Sequence, residues 1–117
     1  MSHTAGPEWF HALAQRASRR EYACGEVLFD ENEPADELVI LSAGTVRLTR
    51  QTSSGESIAV GEESAPCILI TPGVFDGGTN CVTGVAASNG VAYVLQPSVF
   101  EQYCLDNPKF LLRLLTD

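Results

Sequence analysis

Basic residues are scarce in this 117-residue chain, and they are absent from much of its second half. Seven Lys and Arg stand against fifteen Asp and Glu, which gives a formal net charge of -8 at pH 7. Residues 64–108 contain no Lys or Arg. Because a net negative charge repels phosphate backbones and anionic membrane surfaces, we expect no nucleic-acid binding by this chain alone and no membrane partner.

Long apolar runs and a leader pattern are also missing. No apolar run approaches the length of a membrane span, and the first fifteen residues have neither a basic n-region nor an apolar h-region. The sequence therefore predicts a cytoplasmic protein.

Metal and catalytic motifs are absent as well. The four cysteines occur without a Cys-x-x-Cys pair, which favours small buried residues over disulfides or a zinc site. His3 and His11 both precede the first predicted strand, so a metal held by histidines inside a β-barrel is excluded. No Ser, His and acid set, G-x-G-x-x-G pattern or P-loop is found. We expect no enzyme, no catalytic residues, no metal and no cofactor.

The N-terminal part of the sequence has a helix pattern. Pro7 and Glu8 are typical of a helix start, and apolar residues follow at roughly helical spacing. Arg16, Arg19 and Arg20 form the only dense basic stretch. We interpret these arginines as a solvated helix end, with an acidic partner as the alternative.

Short apolar runs with a period close to two dominate residues 21–96. The predicted strands lie in residues 27–29, 38–41, 46–48, 58–60, 67–70, 81–87 and 91–95. Gly44 is expected to take a positive φ in a tight turn, residues 51–56 to form a hairpin turn, and Asn89-Gly90 to form a type I′ hairpin. This pattern predicts a mainly β fold with flanking helices, an antiparallel sandwich or β-jelly-roll barrel.

The length predicts a single domain covering residues 1–117. Its expected parts are an N-terminal helix (1–19), a β-barrel (20–96) and C-terminal helices (97–117). The last helix is interrupted before Pro108 and then carries five large apolar residues in six positions. Because these cannot all face one small barrel, we expect a homodimer or partner-protein interface there. The predicted interface residues are Phe110, Leu111, Leu114 and Leu115.

One stretch is more specific than the rest. Residues 24–48 read CGEVLFDENEPADELVILSAGTVRL, two apolar strands around an acidic turn, followed by a glycine-hinged hairpin. This stretch resembles the front half of the cyclic-nucleotide-binding-type domain of the Crp/Fnr regulator superfamily. The matching positions are Gly25, Glu26, Leu28, Phe29, Ala35, Asp36, Leu38, Ile40, Gly44, Val46 and Leu48. The resemblance implies a jelly-roll, or double-stranded β-helix, barrel.

The resemblance also implies where a ligand would bind. In that family a short helix and loop after the sixth strand wraps the nucleotide phosphate, with a Gly-Glu pair for the ribose hydroxyl and an Arg for the phosphate. Here the corresponding stretch is PGVFDGGTNCVTGVAAS, which has no Gly-Glu pair and places Cys81 or Asn80 where the arginine would be. The candidate ligand-pocket residues are Phe75, Asp76, Gly77, Gly78, Thr79, Asn80, Cys81 and Thr83.

Three functions remain open. The first is a sensor or regulatory domain of a Crp/Fnr-type transcription regulator, with an unknown small-molecule effector if any, that does not bind cyclic AMP or cyclic GMP in the usual way. The second is a free-standing interaction or dimerisation module whose pocket is filled by its own side chains, such as Val74, Phe75, Val82 and Val85. The third is a cyclic-nucleotide binder that uses backbone N–H donors of residues 77–80 alone.

Overall fold

The structure, a computed structural model, describes residues 2–4, 7–70 and 73–116 of the chain. Four helices are formed in the described residues, and the first begins at Pro7 as the sequence predicts. They are α1 (Pro7–Ala14), α2 (Gly73–Asp76), α3 (Pro97–Asp106) and α4 (Pro108–Thr116). The break between α3 and α4 falls at Asn107, because the proline that follows cannot continue the helix that precedes it.

Nine strands are formed in the described residues, and their pairing is antiparallel throughout. They are β1 (Ser2–Thr4), β2 (Ser18–Tyr22), β3 (Val27–Phe29), β4 (Leu38–Ala43), β5 (Thr45–Gln51), β6 (Ser57–Ser64), β7 (Cys67–Leu69), β8 (Thr83–Ala86) and β9 (Gly90–Leu95). Sheet A has the order β1-β7-β4-β9-β2, and sheet B has the order β3-β8-β5-β6. The predicted mainly β, antiparallel jelly-roll type is confirmed, although the sheets stay separate and do not close into a barrel.

Sheet A lies between two apolar layers. On strand β4, Leu38 and Ile40 belong to a core cluster shared with the helices, whereas Val39 and Leu41 belong to a second cluster shared with sheet B. Since successive side chains of a strand point to opposite faces, both faces of β4 are buried. This explains why the sequence of β4 is continuously apolar instead of alternating.

The predicted N-terminal helix is too long. Helix α1 ends at Ala14, and Arg19 and Arg20 lie on β2, an edge strand of sheet A, opposite Tyr93 and Ala92. Arg20 makes a two-point ion pair with Glu37, with N···O distances of 3.0 and 3.4 Å. Because most side chains of this edge strand are exposed, its sequence shows no period-two alternation, and the interpretation as a solvated helix end was wrong.

The two predicted turns around β5 are confirmed, but the Asn89-Gly90 hairpin is wrong. Strands β8 and β9 belong to different sheets, and neither Asn89 nor Gly90 has a positive φ, whereas Gly44 does (φ 96°). A Cβ atom on Gly90 would lie 2.4 Å from the carbonyl oxygen of Ala43. Glycine is therefore needed at position 90 because two backbone segments approach closely, and not because of a type I′ turn.

The four free cysteines differ in burial. Cys67 and Cys104 are buried, as predicted, whereas Cys24 and Cys81 are exposed, contrary to the expectation of four buried residues. Burial raises the pKa of the Cys67 thiol to about 11, and burial also raises the pKa of Cys104. The two buried thiols are therefore protonated and unreactive at neutral pH.

Candidate functional site

The predicted ligand-pocket residues lie in one continuous segment, here called the cassette segment (residues 73–83). It starts with helix α2 and continues through a turn in which Gly77 has a φ of 76°. The backbone N–H of Gly78 donates to the carbonyl oxygen of Gly73 and to Oδ1 of Asp76, at 2.9 Å each. A Cβ on Gly73 would lie 2.5 Å from the carbonyl oxygen of Thr79, so the segment folds tightly on itself.

Opposite the cassette segment lies the polar loop between β3 and β4, here called the facing loop (residues 30–35). Asn80 contacts it three times: its N–H donates to the oxygen of Glu33, its oxygen accepts from the N–H of Asn32, and its side-chain amide donates to the oxygen of Asp30. Each of these distances is 2.9 Å. Asn80 is 8% exposed and is the one buried polar or charged residue among the described side chains.

Further contacts extend this pairing on both sides of Asn80. The N–H of Ala35 donates to the oxygen of Gly78 at 3.0 Å, and the N–H of Glu31 donates to Oγ1 of Thr83 at 2.9 Å. Pro34 and Thr79 form an isolated antiparallel bridge. The facing loop and the cassette segment are thus joined along their length by hydrogen bonds within the chain.

These contacts bear on anion binding by the glycine-rich turn. Of the four backbone donors proposed from the sequence for residues 77–80, those of Gly78 and Asn80 already donate within the chain. The side chain of Asp76 faces the N–H of Gly78 and adds a carboxylate to the turn. A phosphate at this turn would therefore meet fewer N–H donors than the sequence suggests, and one negative charge.

The structure brings one guanidinium to the rim of the site that sequence spacing did not reveal. Oε1 of Glu31 accepts from the N–H of Gln51 at 2.9 Å, and its Oε2 lies 3.9 Å from Nε of Arg50. Arg50 comes from β5, which the pairing of Thr49 with Thr83 places beside β8. No local motif signals this arrangement, since it depends on strand register. The charge of Arg50 is already opposed by that of Glu31.

The apolar residues proposed to fill the pocket take different positions. Val82 is buried between the two sheets, and Val74 is buried among the helices. Phe75 is 47% exposed, and Val85 is half-buried. Only Val82 of these four therefore fills the space between the sheets.

The residues predicted to form the partner interface differ in exposure. Phe110 is 7% exposed, and its ring centroid lies 5.0 Å from that of Tyr103 and 6.0 Å from that of Phe100. It belongs to the chain's own core, so its assignment to an exposed interface was wrong: one face of α4 packs on α3. Leu111 is 39% exposed and stays a predicted interface residue. The side chains of Leu114 and Leu115 lie outside the described residues.

An open surface depression of about 570 Å³ lies at the end of the strands opposite the cassette segment. It is lined by Glu21, Tyr22, Ala23, Glu26, Ala43, Asn89, Gly90 and Val91. These lining residues include two carboxylates and no Lys or Arg. The depression therefore has no means of pairing with a phosphate.

The described residues contain neither a metal-binding cluster nor a helix that could span a membrane. Within residues 2–4, 7–70 and 73–116, no group of three or more His, Cys, Asp or Glu side chains is placed to hold a metal ion. None of the helices described has the length and apolar character needed to cross a membrane.

The family follows from comparison with known proteins. The family model of the cyclic nucleotide-binding domain matches residues 19–107. The chain belongs to the cyclic nucleotide-binding domain family. This family consists of regulatory binding domains and is not a family of enzymes. The matched residues include both the facing loop and the cassette segment.

Solved structures of regulators share this fold. The N-terminal domain of a transcriptional regulator from Streptomyces coelicolor is 23% identical, with a TM-score of 0.74, and the match covers 96% of this chain and 78% of that chain. A transcriptional regulator from Thermotoga maritima is 20% identical, with a TM-score of 0.82 and coverages of 92% and 84%. The Thermus thermophilus catabolite activator protein is 19% identical, with a TM-score of 0.82.

The match to the catabolite activator protein covers a larger share of this chain than of that protein. The match takes in 97% of this chain but 54% of that protein, so the chain spans about half of its length. No curated protein matches the sequence of this chain. The neighbouring regulators therefore establish the fold.

Proposed function

We propose that this cyclic nucleotide-binding domain is the regulatory domain of a Crp/Fnr-type transcription regulator and does not bind cyclic AMP or cyclic GMP in the usual way. The observation that carries the proposal is the composition of the candidate site. The cassette segment has no Lys or Arg, and two of its backbone donors and the side chain of Asn80 bond to atoms of the chain itself.

The electrostatics of the site support this proposal. A cyclic phosphodiester carries one negative charge, and its oxygens are best held by a bidentate guanidinium. The guanidinium at the rim, Arg50, is paired with Glu31, and Asp76 adds a further carboxylate on the cassette segment. The charged groups named here sum to -1, so they repel a phosphate.

The regulatory part of the proposal has two supports. The structural neighbours include the N-terminal domain of a transcriptional regulator and a catabolite activator protein. In this chain, α2 also contacts the helices that follow the sheets, since the ring centroids of Phe75 and Phe100 are 6.2 Å apart and Phe110 packs against Phe100. A change in the cassette segment would reach α4 through this aromatic contact. A cytoplasmic location stays a prediction from the sequence.

Thermal unfolding with added nucleotide tests the ligand part of the proposal. A ligand that binds only the native state at about 100 times its Kd stabilises it by about 2.7 kcal/mol. For a domain of roughly this size that raises the Tm by more than about 10 °C. We expect no rise with millimolar cyclic AMP or cyclic GMP, with 5′-AMP as the control. A rise specific to either cyclic nucleotide would overturn the proposal in favour of binding through backbone donors.

A free-standing interaction module is the second candidate function, and one observation favours it. The crevice between the sheets, which is lined by Tyr22, Leu28, Leu41, Ala43, Thr45, Val46, Ala86, Ser88 and Gly90, is too narrow for a water molecule. At this end of the sheets the chain fills its own interior, which favours a role that depends on the surface. Both candidate functions use a homodimer or a partner protein at α4, and Leu111 is the residue of the predicted interface whose described side chain is exposed.

The oligomeric state tests the surface role. We expect the wild-type chain to sediment as a dimer, Leu111→Glu to sediment as a monomer, and Leu105→Glu to remain dimeric. Leu105 is the matched control because it is an exposed leucine of α3, 73% exposed. A wild-type monomer, or equal behaviour of the two variants, would argue against α4 as a self-association surface.

A further inference from the structure

Asn80 is an unusual residue for its surroundings. It is buried, although asparagine is mostly found at protein surfaces, whereas the other buried residues of the facing loop and the cassette segment, Ala35, Val74 and Val82, are apolar. Burying a polar side chain is unfavourable unless its hydrogen bonds are made. The side-chain amide of Asn80 donates to the oxygen of Asp30, and the backbone N–H and oxygen of Asn80 bond to Glu33 and Asn32 of the same facing loop.

The facing loop is shaped to make those contacts. Asn32 has a φ of 70° and is the one non-glycine residue with positive φ among those described. Left-handed backbone is disfavoured for residues with a side chain, although asparagine tolerates it better than most. This conformation accompanies the donation of the Asn32 N–H to the oxygen of Asn80. A disfavoured loop conformation is thus maintained together with a bond to the cassette segment.

We infer that Asn80 is a positioning residue that latches the cassette segment onto the facing loop without a ligand. The latch consists of its three bonds together with the Ala35–Gly78 and Glu31–Thr83 bonds on either side. Any effector that entered here would first have to break these bonds. The latch therefore holds the candidate site in this arrangement when no ligand is bound.

Native-state hydrogen exchange on the full chain tests the latch, because amide protection reports local opening. The probes are the N–H groups of Asn32, Ala35 and Asn80, and the N–H of Ile40 in the core strand β4 serves as reference. In the ligand-free wild type, we expect the exchange rates of the three probe amides to lie within about tenfold of those of the slowest amides outside the facing loop and the cassette segment. Rapid exchange of all three, as in an open loop, would overturn the latch.

Asn80→Asp is the variant that removes the side-chain donor while keeping the shape. Its carboxylate would face the carbonyl oxygen of Asp30, which offers no proton. We expect exchange at the three probes to accelerate at least tenfold in this variant, with less than threefold change at Ile40. Unchanged probes, or an equal acceleration at all four sites, would contradict a local latch held by Asn80.

The chain offers a matched control. The side-chain amide of Asn107 donates to the oxygen of Tyr103 at 2.9 Å, the same type of bond outside the cassette segment. Asn107→Asp should leave the three probes unchanged. If Asn80→Asp does not fold, Thr83→Val removes only the acceptor of the Glu31 N–H, and exchange at Glu31 should then accelerate at least fivefold; no acceleration would count against the latch.

The inference rests on the proposed function only in taking the cassette segment as the candidate site. The two fail separately. A stabilising effect of a cyclic nucleotide would remove the proposed function and leave the ligand-free exchange result standing. Unprotected probes would remove the latch and leave the absence of nucleotide binding standing.

Discussion

The ring of Phe29 lies directly against the backbone of Gly84. A Cβ atom at position 84 would be 2.6 Å from both Cε1 and Cζ of that ring. Phe29 is the last residue before the facing loop, and Gly84 follows Thr83 at the end of the cassette segment. The contact therefore anchors both parts of the candidate site to the same point of sheet B.

Gly84→Ala is expected to destabilise the domain by about 1–3 kcal/mol, since an added methyl group in a packed site forces the ring or the strand to shift. Chemical denaturation measures this change in the free energy of unfolding. Gly61→Ala is the control, because its Cβ would lie 3.6 Å from the Leu48 side chain, an ordinary contact. Equal stability of the two variants would show that the Phe29 contact is not tight.

Gly90→Ala is expected to destabilise the domain by a similar amount, about 1–3 kcal/mol, because of the Ala43 carbonyl oxygen. Gly90→Asn distinguishes the close contact with Ala43 from a requirement for positive φ at position 90. Asparagine tolerates positive φ, so it would largely restore stability if position 90 needed that conformation. We expect Gly90→Asn to be at least as destabilised as Gly90→Ala, and a clear recovery would restore the type I′ interpretation.

Phe110→Ala is expected to cost about 3–5 kcal/mol in unfolding free energy, because it leaves a cavity between Tyr103 and Phe100. Leu105→Ala, at an exposed position of the neighbouring helix, should stay within about 0.5 kcal/mol of the wild type. A Phe110 variant as stable as the Leu105 variant would mean that α4 does not pack on the core.

The four thiols should separate in alkylation experiments on the native protein. Cys24 and Cys81 are exposed and should react first with iodoacetamide at pH 8, whereas Cys67 and Cys104 should react only as fast as the protein opens. Mass spectrometry of digested samples gives the site of each modification. Early modification of Cys67 would contradict its burial.

The Cys67 thiol also predicts a pH dependence of stability. Its pKa is raised by burial from 9.0 to about 11, so the unfolded chain releases this proton at a lower pH than the folded chain does. The stabilisation by the protonated thiol is complete below pH 9 and is lost as pH rises towards 11. The free energy of unfolding, measured by denaturation, should fall less between pH 8 and pH 10.5 in Cys67→Ala than in Cys24→Ala. An equal fall in the two variants would argue against the raised pKa of Cys67.

Local patterns determined much of the architecture. The apolar strand β4, the positive φ of Gly44 and the interruption before Pro108 follow from residue-level preferences that act over a few positions. The candidate site could also be located on the chain, because the resemblance in residues 24–48 implies which later segment would hold a ligand. Its lack of basic residues is visible without coordinates.

The errors share one cause. Edge strand β2 has exposed side chains and hence no alternation, Asn89-Gly90 connects two sheets, and Phe110 packs on residues of a different helix. Each of these facts concerns which other helix or strand lies alongside. Short-range periodicity does not contain that information.

The amino-acid sequence alone determined the mainly β class, the family resemblance and the lack of basic residues in the cassette segment, since these depend on residue types and on nearest neighbours along the chain. Tertiary structure decided that Asn80 is buried against the facing loop and that Arg50 reaches the rim of the site. It also decided that Gly84 must lack a side chain beneath Phe29. These relationships join residues 19 to 55 positions apart, and only the tertiary structure brings such residues within hydrogen-bonding or van der Waals distance.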